Sequence, residues 1–521
     1  MAEIGKNVIE HLTTGMYENS YTIYREYIQN AADSIDKAIQ EGIIQKDEAN
    51  IDILIENKKR RITIYDNAKG ISKEEFYSKL SDIANSDKDY NTDKGFRGIG
   101  RLAGLAYCNK LIFTSSAMGQ DVKSIMEWDG KKLLEILNDH TKHISASDLV
   151  EQLISYRQEK ANKDEHFFEV ILDGVYEESK DLLDEEKVRN YLEAVAPVPY
   201  VNSFSYKSEV YRFKEKENLQ LDEYEINLNS RQLFKPYTMK LYVESNGKKE
   251  AYDEVNALEF RKFYNNDGKL IAWMWFAVTN FEKQIPVNNR MRGIRLRKEN
   301  IQIGNEETLS YPRFFKEARG NYYFIGEVFA VDSNLIPNAR RDYFNTNLSL
   351  REFEEKLQPV LHDELYHLYH YANQVKKSFQ KTAEYTKSEA DFNEKNMNGE
   401  FINDTDKEEA KQKLESKKNI AKDAERKLQL RKKDTETNNI YKKVYAELEK
   451  KYMPKSEKTE SNNSVKETSN SKETKYLSQK LSKYGRKEQK LISRIYAIIK
   501  SILPSELAET IVTKIQEELS K

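Results

Sequence analysis

Between residues 21 and 104 a helical pattern, an alternating strand and a glycine-rich turn follow one another, and each carries polar residues suited to chemistry. In the first, the periodicity predicts a helix over Tyr21–Gln40 that contains Arg25-Glu26-Tyr27-Ile28-Gln29-Asn30-Ala31-Ala32-Asp33. Glu26, Asn30 and Asp33 are spaced i, i+4, i+7 and so share one helix face. A carboxylate beside an amide oxygen can polarise a water and offer a ligand to an oxygen-preferring Mg²⁺. Ordinary solvated polar residues would read the same way in this segment alone.

The second piece is a strand, Ile62–Tyr65, running into Asp66-Asn67-Ala68-Lys69-Gly70. A strand-end carboxylate there can accept a hydrogen bond from an exocyclic amine such as adenine's, and Gly70 lets backbone approach a flat base. The third, Lys94-Gly95-Phe96-Arg97-Gly98-Ile99-Gly100-Arg101, can turn backbone N–H groups toward phosphate oxygens. It lacks the Lys-Ser/Thr ending of a P-loop, and singly the second and third are common turns. Their order is the specific signal.

Helix with Glu-x-x-x-Asn-x-x-Asp, strand with Asp-x-x-x-Gly, then Gly-x-x-Gly-x-Gly resembles the three-motif signature of the GHKL ATPases, which share the Bergerat nucleotide fold. Within that superfamily the chain is most similar to the ninety-kilodalton heat-shock chaperones, through Ile23–Lys37, through Leu80–Ser86 and through Leu183–Tyr200, which looks like their domain-closing helix. The resemblance spans roughly residues 10–350. It implies ATP and Mg²⁺ as ligands, with Glu26 activating the attacking water, Asn30 holding the metal, Asp66 and Gly70 at the adenine, and Asp33 supporting the site. Lys94, Gly95, Arg97, Gly98, Ile99 and Gly100 would belong to a lid over the phosphates. Leu335-Ile336-Pro337-Asn338-Ala339-Arg340-Arg341-Asp342 resembles the chaperones' middle-domain loop, which makes Arg341 the catalytic arginine, although a surface pair with Asp342 would look alike. The chain departs from the family at Ala68, where a glycine is usual, in the short polar connection from Ser86 to Gly95, and in its carboxyl-terminal third.

The expected fold is α/β: a Bergerat-type sandwich over 1–205, closed by Pro197-Val198-Pro199, then an α/β (S5-like) middle domain over 206–365 with strands at Leu270–Val278 and Tyr322–Val331. Further strands are expected at Ile51–Ile55, Leu111–Ser115 and Phe167–Leu172, and a helix at Glu185–Val195. With 521 residues, one core is too few. A third of the chain, 33%, is charged, and much of that lies beyond Leu350, where a helical region over 366–453 carries Ala410, Leu414, Ala421, Ala424 and Leu428 at heptad steps, with Lys417 in the missing place. A short coiled coil is the expectation there. A flexible linker should follow over 454–475, then a small helical hairpin over 476–521 with Leu491, Ile495, Ile498, Ile499 and Ile502 facing Leu507, Ile511, Ile515 and Leu519.

Lys and Arg number 85 against 87 Asp and Glu, so no net field draws the protein to nucleic acid or an anionic membrane. Asn288-Asn289-Arg290 and Arg292–Arg297 form a local basic stretch, read as a solvated face with a nucleic-acid contact left open. Leu270–Val278 is too short to span a bilayer. Met1–Lys6 lacks the apolar core of a signal peptide, and the single Cys108 excludes an intrachain disulfide, so the cytoplasm is the expected compartment. The leading functional expectation is an ATP-driven chaperone-like switch, pairing as a homodimer and acting on a protein client. The alternatives are a DNA-engaging ATP clamp resembling microrchidia or MutL proteins, and a nucleotide-gated scaffold with little turnover.

Overall fold

The structure is a computed structural model that describes residues 5–13, 19–82, 100–139, 141–453 and 484–520. The chain forms two compact units, Met1–Tyr366 and His367–Lys521. In the first unit, alternation along β1 (Asn50–Glu56) and β2 (Arg61–Asp66) buries Ile51, Ile53, Ile55, Ile62 and Ile64 on one sheet face. Strands β3 (Cys108–Ser116), β4 (Val122–Asp129), β5 (Ile154–Lys160), β6 (Phe167–Val175), β7 (Glu225–Leu228) and β8 (Arg231–Gln232) complete an eight-stranded sheet of order β5-β4-β3-β6-β2-β1-β7-β8. All its pairings are antiparallel except β1 with β7.

Helices α1 (Asn7–Thr13), α2 (Thr22–Gln40), α3 (Lys73–Ser81), α4 (Gly130–Asn138), α5 (Ala146–Leu153) and α6 (Glu185–Val195) accompany this sheet. Helix α2 drives Ile23, Tyr24, Tyr27, Ile28, Ala31, Ala32 and Ile35 into the core shared with the strands and leaves its polar stripe on the other side. Helix α6 begins where Asp184 accepts from the backbone N–H groups of Glu186 and Lys187. The first domain does not stop near 205: β7 and β8 lie beyond it, because β1 needs a partner on its outer edge.

The second domain follows α7 (Lys207–Lys216) and carries the hairpin of β9 (Lys240–Ser245) and β10 (Lys248–Glu254). Its main sheet has five strands, β11 (Ala257–Tyr264), β12 (Leu270–Val278), β13 (Gly293–Lys298), β14 (Ile301–Ile303) and β15 (Ile325–Ala330), in the order β11-β12-β15-β13-β14. Strand β12 is apolar throughout because both its faces are covered. The strand expected over 322–331 is a 3₁₀ turn, Asn321–Tyr323, followed by β15. A charged cluster is sealed into this domain: the fully buried Glu327 takes Arg297, Lys235 (3.0 Å) and Tyr200, and Lys235 also donates to Asn300 at 2.6 Å. Burial alone would push the Glu327 carboxyl up, but Arg297 and Lys235 hold it down at about 2. Helix α8 (Leu348–Gln358) follows the sheet.

Beyond lie α9 (Leu365–Asn398), α10 (Asp404–Thr437) and α11 (Asn439–Tyr452). The heptad stripe of α10 faces α9 within the chain: Lys417 pairs with Glu384 at 2.9 Å and donates to Ser388, and Ala421, Ala424 and Leu428 are buried. Tyr371 of α9 stacks on Tyr441 of α11 with ring centres 4.1 Å apart. The expected linker, 454–475, lies outside the described residues. In the terminal hairpin, α12 (Arg486–Ile502) and α13 (Ser505–Ser520), the seam is made by Ile492, Tyr496 and Ile499 with Val512, Ile515 and Leu519. Leu491, Ile495, Ile498, Ile502 and Leu507 are exposed instead. Helix α12 carries two adjacent apolar rows, and the row holding the large Tyr496 ring takes the inside.

Candidate nucleotide site

Glu26 and Asp33 are buried and Asn30 half-buried on the polar stripe of α2. Two tyrosines fix that helix. Tyr24 donates to the Leu182 carbonyl at 2.6 Å, and the Tyr27 hydroxyl donates to the Arg101 carbonyl and accepts from the Gly104 N–H, both at 3.0 Å. The Tyr27 bonds hold the 3₁₀ turn Gly100–Ala106 against α2, so that the Gly100 backbone comes onto the Glu26 carboxylate. A Cβ at Gly100 would overlap Glu26 Oε2 and oblige that carboxylate to shift.

Asp66 ends β2, and only 3% of it is exposed. Its Oδ1 accepts from the Ala68 N–H at 3.2 Å. Burial pushes the carboxyl up to about 8, with the Ala68 hydrogen bond pulling it part of the way back. The turn that follows is clamped onto the sheet. Gly70 sits at φ +68° with its Cα against the Ser116 and Phe167 backbones, where a Cβ would collide with the Ser116 carbonyl. The Ile71 N–H donates to Ser115 Oγ, which donates to the Phe167 carbonyl, both at 2.8 Å. The His166 ring meets the Ala68 carbonyl at 2.8 Å. Ser115 and His166 were not singled out from the sequence. Neither belongs to a spaced motif, and only the pairing of β3 with β6 brings them to the turn.

The second domain reaches this site through the loop after β15. Arg341 Nε lies 3.4 Å from Glu26 Oε1, and both side chains are close to nine-tenths buried. Arg341 is held at φ +55°, a left-handed conformation costly for a residue with a Cβ, by hydrogen bonds from its N–H to the Asn338 carbonyl and from the Gly304 N–H to its own carbonyl. Asp342 accepts from Asn338. Arg25 reaches the Arg340 carbonyl at 3.3 Å and Glu26 Oε1 at 3.6 Å. Thus Glu26, from the first domain, and Arg341, from the second, meet although 315 positions separate them in the chain.

Comparison with known proteins bears on this arrangement. Residues 19–159 match the family model described as histidine kinase-, DNA gyrase B-, and HSP90-like ATPase. That stretch, which lies in the first domain, is thus similar to the ATPase domains of the GHKL group. The chain is also similar to proteins named "Chaperone protein HtpG". That of Halalkalibacterium halodurans is 27% identical over 155 residues, covering 26% of this chain and 24% of the relative. That of Geobacter metallireducens is 26% identical over 204 residues, covering 36% and 28%, and that of Acinetobacter baylyi 30% identical over 137 residues, covering 23% and 21%. The chain therefore spans about a quarter of the length of these relatives.

The structure brings Glu26, Asn30 and Asp33 onto one stripe of α2, Gly100 onto Glu26, and Arg341 of the second domain onto the same carboxylate. Asp66 and Gly70 form a second cluster at the end of β2. Lys94, Gly95, Arg97, Gly98 and Ile99, with the Ile83–Ser86 run, lie outside the described residues. Among the described residues no three His, Cys, Asp or Glu side chains gather into a metal cage; the half-buried Asn30 is a side chain that could hold Mg²⁺ together with the nucleotide's own phosphates. Such sparse protein ligation is usual for that ion.

Most of the basic stretch of the second domain is not a solvated face, Arg290 alone among the cations named here being exposed. Arg290 pairs with Glu193 at 2.7 Å, Arg292 lies over the Tyr322 ring, and Arg295 pairs with Glu306 at 3.5 Å. Arg297 serves the buried cluster and donates to the Ala194 carbonyl, while Lys298 donates to the Asp332 carbonyl. Every one of these cations is already engaged by the fold. No helix among the described residues is long and apolar enough to cross a membrane.

Proposed function

We propose that this chain binds Mg·ATP in its GHKL domain, hydrolyses it with the help of the second domain, and uses the cycle to act on a protein client as a chaperone-like switch. The observation that carries this reading is the meeting of Arg341 with Glu26. In the proposed cycle Asp66 accepts the adenine amine, Asn30 faces the metal, and Asp33 supports them through water. Glu26 takes the proton of the attacking water. Mg²⁺, when bound, neutralises phosphate charge and orients the phosphates. The guanidinium of Arg341 is supplied from another domain, and on arrival of a γ-phosphate it leaves Glu26 for the stronger anion. That exchange frees the carboxylate as the base and couples turnover to domain position.

A homodimer is part of the proposal. The exposed row Leu491, Ile495, Ile498 and Ile502 on α12 supports it, because a two-helix hairpin buries too little by itself. We place the protein in the cytoplasm, and give the DNA-clamp reading second rank because the cations of the basic stretch are engaged by partners within the fold.

The test is ATP hydrolysis by the wild type, Glu26→Ala and Arg341→Ala, with and without duplex DNA. Turnover by the wild type, retained binding without turnover in Glu26→Ala, loss in Arg341→Ala and indifference to DNA support the reading. Acceleration by DNA puts the clamp in its place, and a wild type that binds no ATP overturns both.

A further inference from the structure

Gln29 lies on α2 three residues after Glu26 and four before Asp33, which makes it a surface neighbour of both on the helix. Its side chain is almost completely enclosed, with 1% of the residue exposed, yet neither its amide oxygen nor its amide nitrogen has a hydrogen-bond partner. The enclosed Glu26 Oε1 and Arg25 Nε, on the same turn, have none either; Glu26 Oε1 has only the ion-pair contacts of the two arginines. A desolvated polar group left without a partner is costly to the fold. Four such atoms, carried by the neighbouring positions 25, 26 and 29 of one helix, leave hydrogen-bonding capacity that a small polar molecule could satisfy. A water fits, since it needs two to four polar partners and can both donate to oxygens and accept from an amide. A side chain serving only to fill space would do so better as Leu or Met.

We infer that Gln29 is a positioning residue for the hydrolytic water, an assignment that rests on the ATPase reading given above. The attacking water has two protons to place. One is directed to Glu26, which takes it as the oxygen–phosphorus bond forms and the bond from the γ-phosphorus to the leaving phosphate oxygen breaks. The second proton is held by the Gln29 amide oxygen, so that a lone pair on the water points away from α2 toward the phosphate. Glu26 alone leaves that water free to rotate about one hydrogen bond. Gln29 supplies the second bond that fixes its direction.

The experiment compares steady-state ATP turnover, ATP affinity and nucleotide-free melting temperature for the wild type, Gln29→Met and Gln29→Asn. The expected result is a kcat lowered on the order of 10²-fold in Gln29→Met, with KM for ATP within about twofold and a melting temperature equal to or above the wild type's. Gln29→Asn, which keeps the amide but withdraws it by one methylene, should fall between the two. Wild-type kcat in Gln29→Met overturns the inference. So does a loss of kcat that merely follows a lowered melting temperature or weakened ATP affinity, which would make Gln29 a packing residue. If the wild type itself neither binds nor hydrolyses ATP, the ATPase reading fails in its own arm and takes this inference with it.

Discussion

A carboxyl that titrates near 8 in the nucleotide-free protein must change its protonation if it is to accept an N–H from adenine as a carboxylate. For Asp66, at about 8, about nine-tenths of molecules carry the proton at pH 7 and about one-tenth at pH 9. Binding that requires the ionised form therefore expels about 0.9 proton per nucleotide at pH 7 and about 0.1 at pH 9. The sign follows from the direction of the shift. The free site favours the neutral acid, so affinity rises with pH through 8 and levels above it, gaining about tenfold between pH 7 and 9. Titration calorimetry with Mg·ADP in two buffers of different ionisation heat measures the proton count directly. A flat affinity with no proton released would refute the argument, placing either the adenine or the ionised form elsewhere. The same shift makes the empty domain less stable as pH rises from about 4 to about 8, by up to about 1.4 kcal/mol per pH unit. Asp66→Asn should remove that slope from its urea-unfolding curves.

Gly70→Ala should abolish nucleotide binding and cost roughly 1–3 kcal/mol of stability, read by calorimetric titration and by melting, because its Cβ meets the Ser116 carbonyl. Gly100→Ala should lower kcat on the order of 10²-fold with little change in ADP affinity, since its Cβ displaces the Glu26 carboxylate and leaves the Asp66 cluster untouched. Glu327→Ala should destabilise the first unit by about 3–5 kcal/mol in urea unfolding, because Arg297 and Lys235 would stay buried without their shared anion.

The site was readable wherever its chemistry follows a local period. The stripe of Glu26, Asn30 and Asp33 needs only helical spacing, and Asp66 with Gly70 needs only a strand ending in a turn. Arg341 carries no period, and its place by Glu26 came from the resemblance of the 335–342 loop. Other features depend on pairing partners that one segment cannot reveal. Strand β5 is polar along its length because it is an edge strand, so alternation never marks it. Strands β7 and β8 join a sheet whose other strands end fifty residues earlier. The run Arg290–Lys298 looked solvated because its anions, Glu193, Glu306 and Glu327, are far away in sequence. Gln29 was invisible for the opposite reason, since a lone glutamine in a helix gives no signal until its enclosure is known.

Where β8 ends, Leu233 is packed in the first core, Lys235 two residues later is locked to Glu327, and Tyr237 is in the second core. Four residues of extended chain span only about 14 Å, so the two cores are geared together with little slack between them. Trimming the gene at a proline-rich point near 200 to isolate the nucleotide domain would cut this gear, strip β7 from β1 and leave a bare strand edge that invites other chains to pair with it. A stretch that looks like a seam in the sequence is thus the shaft through which each half feels the other.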